Sequence, residues 1–148
     1  MNNKIYIVGG GHAGVEAAFD VSRMGLKCSI ITMDASAVGR MSCNPAVGGL
    51  AKSHLVKEID ALGGIMPLAA DHSGIQFKTL NTSKGPAVRS LRIQTDKKEY
   101  PRFINALILK DKNISIIEGE VVSFKTKNKS IKSILLASGE SFLCDSVI

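Results

Sequence analysis

The segment KIYIVGGGHAGVEAAFDVSRMGLKCSIITMD, residues 4–34, constrains the fold more than any other part of the chain. A short apolar run, Ile5 to Val8, ends in three glycines and passes into a helical pattern from about His12 to Met24. Ala13, Ala17, Ala18 and Val21 give that helix a small apolar face, with Glu16, Asp20 and Arg23 turned the other way. Gly25 stops it, and CSIIT reads as a second strand parallel to the first. A strand, a glycine turn, a helix and a strand in so few residues make a β-α-β unit, which needs a parallel sheet covered by helices.

Gly9, Gly11 and Gly14 fall in the G-x-G-x-x-G spacing directly between strand and helix. The three glycines serve different purposes. Gly9 makes the tight turn, Gly11 admits close approach of a pyrophosphate, and Gly14 allows close packing of the helix. The helix start offers N–H groups and partial positive charge to phosphates. The spacing points to a dinucleotide but does not separate FAD from NAD. An acid that binds the adenosine ribose is expected near Thr32, yet the nearest carboxylate is Asp34, two residues later. FAD is favoured by the later layout, where a third strand is followed by a small antiparallel excursion rather than by further β-α units.

Beyond Asp34 the pattern predicts a loop to about residue 49 and then a helix through LAKSHLVKEIDALGG, with Leu55, Val56, Ile59 and Leu62 as its apolar face. Residues 65–95 read as less regular, with turn formers in DHSG and NTSKGPAVRS. A third helix is expected over about Asp96 to Lys110, with Pro101 kinking it or marking its effective start. ISIIEGEVVSF is strand-like, and SIKSILLASGESFLCDSVI reads as further short strands joined by turns. The stop at Val147 and Ile148, inside a strand-like run, implies the N-terminal piece of a longer protein.

Composition narrows the function classes. At 148 residues and 45% hydrophobic, the chain suits one α/β domain or part of one. No apolar run approaches the ~20 residues of a membrane helix, and no signal-peptide layout precedes the first strand, so the expected location is cytoplasmic, away from membranes. Cys28, Cys43 and Cys144 lack C-x-x-C spacing, and His54 and His72 have no ligand spacing, which argues against disulfides and metal. The net charge of +6 and the late lysines, among them Lys112, Lys125, Lys127, Lys129 and Lys132, would suit a polyanion such as RNA. Scattered solvated lysines explain the same composition.

With GGGHAG, MSCNPAVGGLAKSHLVKEIDALGG (41–64) and NTSKGPAVRSLRIQTDK (81–97) in this order, the chain closely resembles the N-terminus of the MnmG (GidA) family, FAD-containing tRNA-modifying enzymes. The resemblance implies an α/β, Rossmann-like FAD-binding domain: a parallel sheet with flanking helices and a small antiparallel β excursion, incomplete at the C-terminus. Residues 1–148 would be the N-terminal part of that domain. It further implies that, with the MnmE GTPase, a homodimer forming a heterotetramer places a carboxymethylaminomethyl or aminomethyl group on C5 of the tRNA wobble uridine. FAD, NADH as reductant and methylenetetrahydrofolate as carbon donor would take part. Carried over by motif, Gly9, Gly10, Gly11, His12, Ala13 and Gly14 would bind FAD, and Val121 would touch its adenine side through its backbone.

The second motif sets a chemical question. Uracil C5 is a poor nucleophile until a group adds to C6, and a thiolate of lowered pKa can do this. Cys43 precedes a helix, with Arg40 and Lys52 nearby in sequence, and is the candidate catalytic residue. Packing beside the flavin, with Asn44 and Pro45 shaping the loop, is the other role open to it. Gly48 and Gly49 would admit a planar ring or form a helix-entry turn. Lys84, Arg89 and Arg92 could contact tRNA phosphate, folate carboxylate or reduced flavin, or stand as solvated loop residues. Two alternatives differ in class: a generic FAD-dependent oxidoreductase, of which a disulfide reductase would need a second cysteine near Cys43, and a folate- and FAD-dependent tRNA uracil methyltransferase. The isolated 148 residues would be inactive on any of these readings.

Overall fold

The computed structural model describes residues 4–42 and 44–148. In chain order the elements are β1 (Ile5–Val8), α1 (His12–Arg23), β2 (Cys28–Thr32), β3 (Ala46–Gly48), α2 (Lys52–Ala61), α3 (Ile65–Ser73) and β4 (Gly74–Leu80). Then follow β5 (Ser90–Thr95), α4 (Glu99–Lys110), β6 (Ile114–Glu118), β7 (Val121–Lys127), β8 (Ser130–Leu136), β9 (Ser141–Leu143) and β10 (Ser146–Val147). Among the described residues no helix is long and apolar enough to cross a membrane.

Two compact units form. The first holds the residues up to Val38 together with Leu107–Ile148, and the second holds Gly39–Ala106. In the first unit β10, β1, β2 and β6 make a parallel sheet in that order, the arrangement of the first strands of a doubly wound nucleotide-binding fold. The register aligns Ile5 with Cys28 and Cys28 with Ile114, so successive rows of side chains meet on common faces. One face carries Ile5, Ile7, Cys28, Ile30 and Ile114, all buried, as are Val15, Ala18, Phe19 and Val21 of α1. The other face carries Ile31, which packs with Ile134, Leu136 and Cys144, with Tyr6, Ile117, Val121 and Phe142 around them. Ile134, Leu136, Val121 and Phe142 belong to a three-stranded antiparallel sheet, β7-β8-β9. Full burial of one such side chain stabilises the fold by ~1.5–3 kcal/mol, and that is why the apolar rows fix the register.

α1 ends as the sequence predicts. Gly25 takes φ +75°, its N–H donates to the Ser22 carbonyl at 2.8 Å, and the Leu26 N–H donates to the Val21 carbonyl at 3.2 Å. The strand-like run ISIIEGEVVSF falls into two strands. At Gly119 the chain leaves the parallel sheet as β6 and enters the antiparallel one as β7. A Cβ at Gly119 would lie 2.7 Å from Leu136 Cδ1, so the crossing point is packed tightly.

The second unit is more regular than its sequence suggested. Residues 65–95 form α3, β4 and β5 rather than irregular chain, and β3, β5 and β4 make an antiparallel sheet in that order. Pro67 sits in the first turn of α3, where its missing N–H has no helical partner to lose, so it does not break the helix. Ile65, Ala69 and Ser73, four apart, are buried along one side. β4 lies at the edge of its sheet and leaves Ile75 and Phe77 exposed. The apolar face predicted for α2 is also different: Val56 and Ile59 are half-buried, whereas Leu55 and Leu62 are exposed and Ser53 is the buried residue. The regular part of α4 begins at Glu99 rather than at Asp96, and Pro101 lies in its first turn.

Candidate nucleotide-binding site

The loop between β1 and α1 closes over the carboxyl end of the parallel sheet. The Gly9 N–H donates to the Ile31 carbonyl at 2.8 Å, which pins the loop to β2. The glycines there are required for different reasons. Gly9 has φ +112°, a conformation that a side chain would strain. A Cβ at Gly10 would stand 2.9 Å from Val38 Cγ2 and 3.2 Å from Thr32 Oγ1. A Cβ at Gly14 would come within 1.9 Å of the Gly9 carbonyl oxygen, a backbone atom that cannot move aside cheaply.

Gly11 differs from all three. It caps α1 with φ −75° and ψ −176°, extended backbone open to any residue, and a Cβ there would meet nothing within 4 Å. Neither its conformation nor packing among the described residues requires a glycine at this position. Close approach by a ligand would, and the position is the second glycine of the pyrophosphate pattern. No side chain caps α1 and its first turn holds no acid, so the helix start keeps its positive end for an anion.

Beside this loop lies a cavity of about 380 Å³ lined by Val8, Gly9, Gly10, Ile31, Thr32, Met33, Gly119, Glu120 and Val121. The structure thus brings Gly9, Gly10 and Val121 together, although they are far apart in sequence, while Gly11, His12, Ala13 and Gly14 form the cap and first turn of α1. Val121 is half-buried and opens β7, opposite Leu136 of β8. The parallel pairing of Thr32 with Glu118 is what carries residues 119–121 to the loop. Thr32, which stands where the sequence pattern expects a ribose-binding acid, and Glu120, which was not singled out from sequence, supply polar groups to the cavity. The signal available was the position of EGEV just after a third parallel strand.

Asp34, the late acid, is outside that cavity lining. Its carboxylate accepts the Ser36 N–H at 2.9 Å and the Ser36 hydroxyl at 2.6 Å, so it caps a short 3-10 turn over Ala35–Ala37. Glu118 supports the same turn by accepting the Ala35 N–H at 2.8 Å.

Cys43 lies outside the described residues. Its neighbours in the motif are ordered by β3. The Pro45 carbonyl accepts both the N–H and the hydroxyl of Thr95, at 2.7 and 3.1 Å. Gly48 has φ +93°, and a Cβ there would stand 2.1 Å from the Leu91 carbonyl oxygen, so it is needed for the pairing of β3 with β5. The Gly49 N–H donates to that same carbonyl, and the Gly49 carbonyl accepts the Ser53 N–H, which makes the helix-entry turn of α2. Lys84 and Arg89 are exposed, Arg92 is half-buried beside Gln94, and none of the three is in an ion pair among the described residues.

The other two cysteines are buried. Cys28 donates weakly to the Ala18 carbonyl at 3.7 Å, and burial, with Asp111 adding to it, pushes its thiol up to about 11. Burial also raises the Cys144 thiol, with Asp145 adding to it. Neither is set up as a thiolate near neutral pH. His54 is exposed on α2, and His72 stacks on Phe103 at 4.3 Å while facing Glu99 at 3.5 Å. Among the described residues no group of His, Cys, Asp and Glu is placed to hold a metal ion.

Comparison with known proteins agrees with this geometry. The profile of the family described as Glucose inhibited division protein A matches residues 4–148. Over 144 residues the chain is 47% identical to the tRNA uridine 5-carboxymethylaminomethyl modification enzyme MnmG of Zymomonas mobilis. It is 49% identical, again over 144 residues, to the enzyme of the same name from Buchnera aphidicola. Each match covers 97% of this chain and 23% of the relative, so the chain spans about a quarter of the length of the curated relatives it matches. The structure of Aquifex aeolicus GidA superposes with a TM-score of 0.93 at 44% identity, covering 99% of this chain and 24% of that one. PqsL, described as a probable FAD-dependent monooxygenase from Pseudomonas aeruginosa, shares the fold at 14% identity with a TM-score of 0.66, covering 98% of this chain and 41% of that one. An α/β chain with a Rossmann-like parallel sheet and this glycine loop, it belongs to the glucose inhibited division protein A family.

Proposed function

We propose that this chain is the N-terminal part of the FAD-binding domain of a longer enzyme that modifies C5 of the wobble uridine in tRNA, adding a carboxymethylaminomethyl or aminomethyl group. The observation that carries the cofactor assignment is Gly11, a glycine that neither conformation nor packing among the described residues calls for and that a closely approaching ligand would explain. The relatives' shared name supports the substrate assignment. Partnership with the MnmE GTPase, assembly as a homodimer within a heterotetramer, NADH as reductant and methylenetetrahydrofolate as carbon donor complete the reading. A cytoplasmic location goes with a tRNA substrate.

The residues present fit FAD. The backbone from Gly9 to Gly14 and the N-terminus of α1 would hold the pyrophosphate. Thr32, Glu120 and the backbone of Val121 would meet the adenosine half in the cavity they line. Bound there, FAD supplies two-electron redox chemistry. Cys43 is proposed to act on the base: its thiolate adds to uracil C6, the ring electron pair moves into an enolate, and C5 becomes nucleophilic. Expulsion of the thiolate, with loss of the C5 proton, restores the ring after C5 has reacted.

The test is nucleoside analysis of tRNA from a strain lacking the gene, complemented by the whole protein or by Cys43→Ala. The deletion is expected to lose the C5 substituent at the wobble uridine, the wild type to restore it, and Cys43→Ala to fail while keeping its flavin. Unchanged wobble uridines in the deletion would leave a generic flavin oxidoreductase as the reading. Full restoration by Cys43→Ala would leave that cysteine a role in shaping the pocket.

A further inference from the structure

The parallel sheet has a second end with a chemistry of its own. β1, β2 and β6 run in the same direction, so the residues just before them gather at the edge remote from the glycine loop. These are Lys4, Lys27 and Lys112, all exposed, and together they line a cavity of about 330 Å³. The cavity also takes in Ser29 and Ser115, whose hydroxyls are 2.7 Å apart on adjacent strands. Three ammonium groups around one concavity repel one another unless an anion lies among them.

The local carboxylates bond to other groups rather than to these ammonium groups. Asp111 accepts the Ser22 hydroxyl at 2.6 Å and the Asn113 N–H at 2.8 Å, and Asp145 accepts the backbone N–H of Lys4 at 2.9 Å. Among the described residues none of the three lysine ammonium groups is in an ion pair. More positive charge joins the same end from the β7-β8 hairpin. The Lys132 carbonyl accepts the Cys144 N–H at 3.0 Å, and the next residue, Asp145, donates its N–H to the Lys4 carbonyl at 2.9 Å. Lys132 is thereby tied to the start of β1, and beyond it the exposed Lys127 leads into the hairpin turn that holds the exposed Lys129.

We propose that this end of the unit is a nucleic-acid contact, in which Lys4, Lys27 and Lys112 hold phosphodiester groups of the tRNA backbone and the hairpin lysines extend the contact along the strand. The inference rests on the tRNA reading above and adds to it a surface separate from the cofactor end. Such contacts position the RNA without reading its sequence, and they release counterions on binding. A lysine bears this role as a compact point charge, so arginine can replace it and glutamine cannot.

The experiment measures tRNA affinity of the whole flavoprotein against salt concentration, with bound flavin quantified in each sample. The combined Lys4→Gln, Lys27→Gln and Lys112→Gln variant is expected to keep its flavin. Its slope of log affinity against log salt should be smaller by about 2–3, with affinity at least roughly tenfold weaker near 0.1 M salt. The corresponding Lys→Arg variant should restore the slope. Lys127→Gln, Lys129→Gln and Lys132→Gln together, on an exposed hairpin, provide a second reading if the first variant folds poorly, and should lower the slope likewise. Flavin-replete glutamine variants that bind tRNA with the wild-type slope would overturn the contact while leaving the tRNA reading intact. A wild-type protein that binds flavin but no tRNA would remove that reading and this contact with it.

Discussion

Gly11 and Gly14 are three residues apart, yet they are glycine for unrelated reasons. At Gly14 the reason is internal: an added Cβ would overlap the Gly9 carbonyl oxygen at 1.9 Å, so α1 would have to lift from the loop. Overpacking of this kind costs ~1–3 kcal/mol. Gly14→Ala is therefore expected to lower the denaturation midpoint of the flavin-free whole protein, as followed by circular dichroism in a urea titration, whereas an unshifted midpoint would show that the contact is relieved without cost. The glycine spacing made both positions legible in the sequence, because strand, turn and helix leave few alternatives for that pattern. Cys43 was legible only as a candidate, and the loop that carries it could be read no further than its helix-entry turn. Glu120 went unnoticed because its place in the cavity depends on the pairing of β6 with β2, a contact between residues far apart in the chain.

Among the elements, those with local signals were readable and those defined by distant partners were not. α1 and α2 both end in the same hydrogen-bonded pattern, and glycines at 25 and 63 announce it. α3, β4 and β5 were hidden under turn-forming residues, since Pro67 suggests a break until its place in a first turn is known. The exposed leucines of α2 mislead for the opposite reason: helical spacing records amphipathicity, not which side the rest of the unit covers. α4 shows how a cap sets a start. The Asp96 carboxylate accepts the N–H groups of Glu99 and Lys98, both at 2.8 Å, and those bonds, the first the larger, hold its pKa below the ordinary carboxylate range. A depressed carboxylate stabilises the fold above its unfolded pKa of about 3.9, and the stabilisation is lost as pH falls through the folded value. The difference in thermal midpoint between wild type and Asp96→Asn should accordingly be constant above about pH 5 and shrink below about pH 4. A difference that persists unchanged to pH 3 would mean that the charge on Asp96 does not support the helix.

At the scale of the molecule, the first unit is built around one sheet whose two ends differ in chemistry. The carboxyl end carries the glycine loop and the cavity of about 380 Å³, and the other end carries three lysines in no ion pair among the described residues. Periodicity and motif together disclosed the α/β class and the end that carries the glycine loop, because those rest on a contiguous β-α-β segment. The basic end was visible in the sequence only as scattered lysines: Lys4, Lys27 and Lys112 become neighbours through strand register alone. The central claim is that the loop at the carboxyl end holds FAD, and flavin content tests it most directly. The whole protein should be purified as wild type and as Gly11→Ala, with flavin absorbance per chain and thermal midpoint of the flavin-free form measured for both. Wild type should be flavin-replete, Gly11→Ala should lose most of its flavin, and the flavin-free midpoints should coincide because the added methyl meets nothing among the described residues. Full flavin retention by Gly11→Ala, or a wild type without flavin, would contradict the claim.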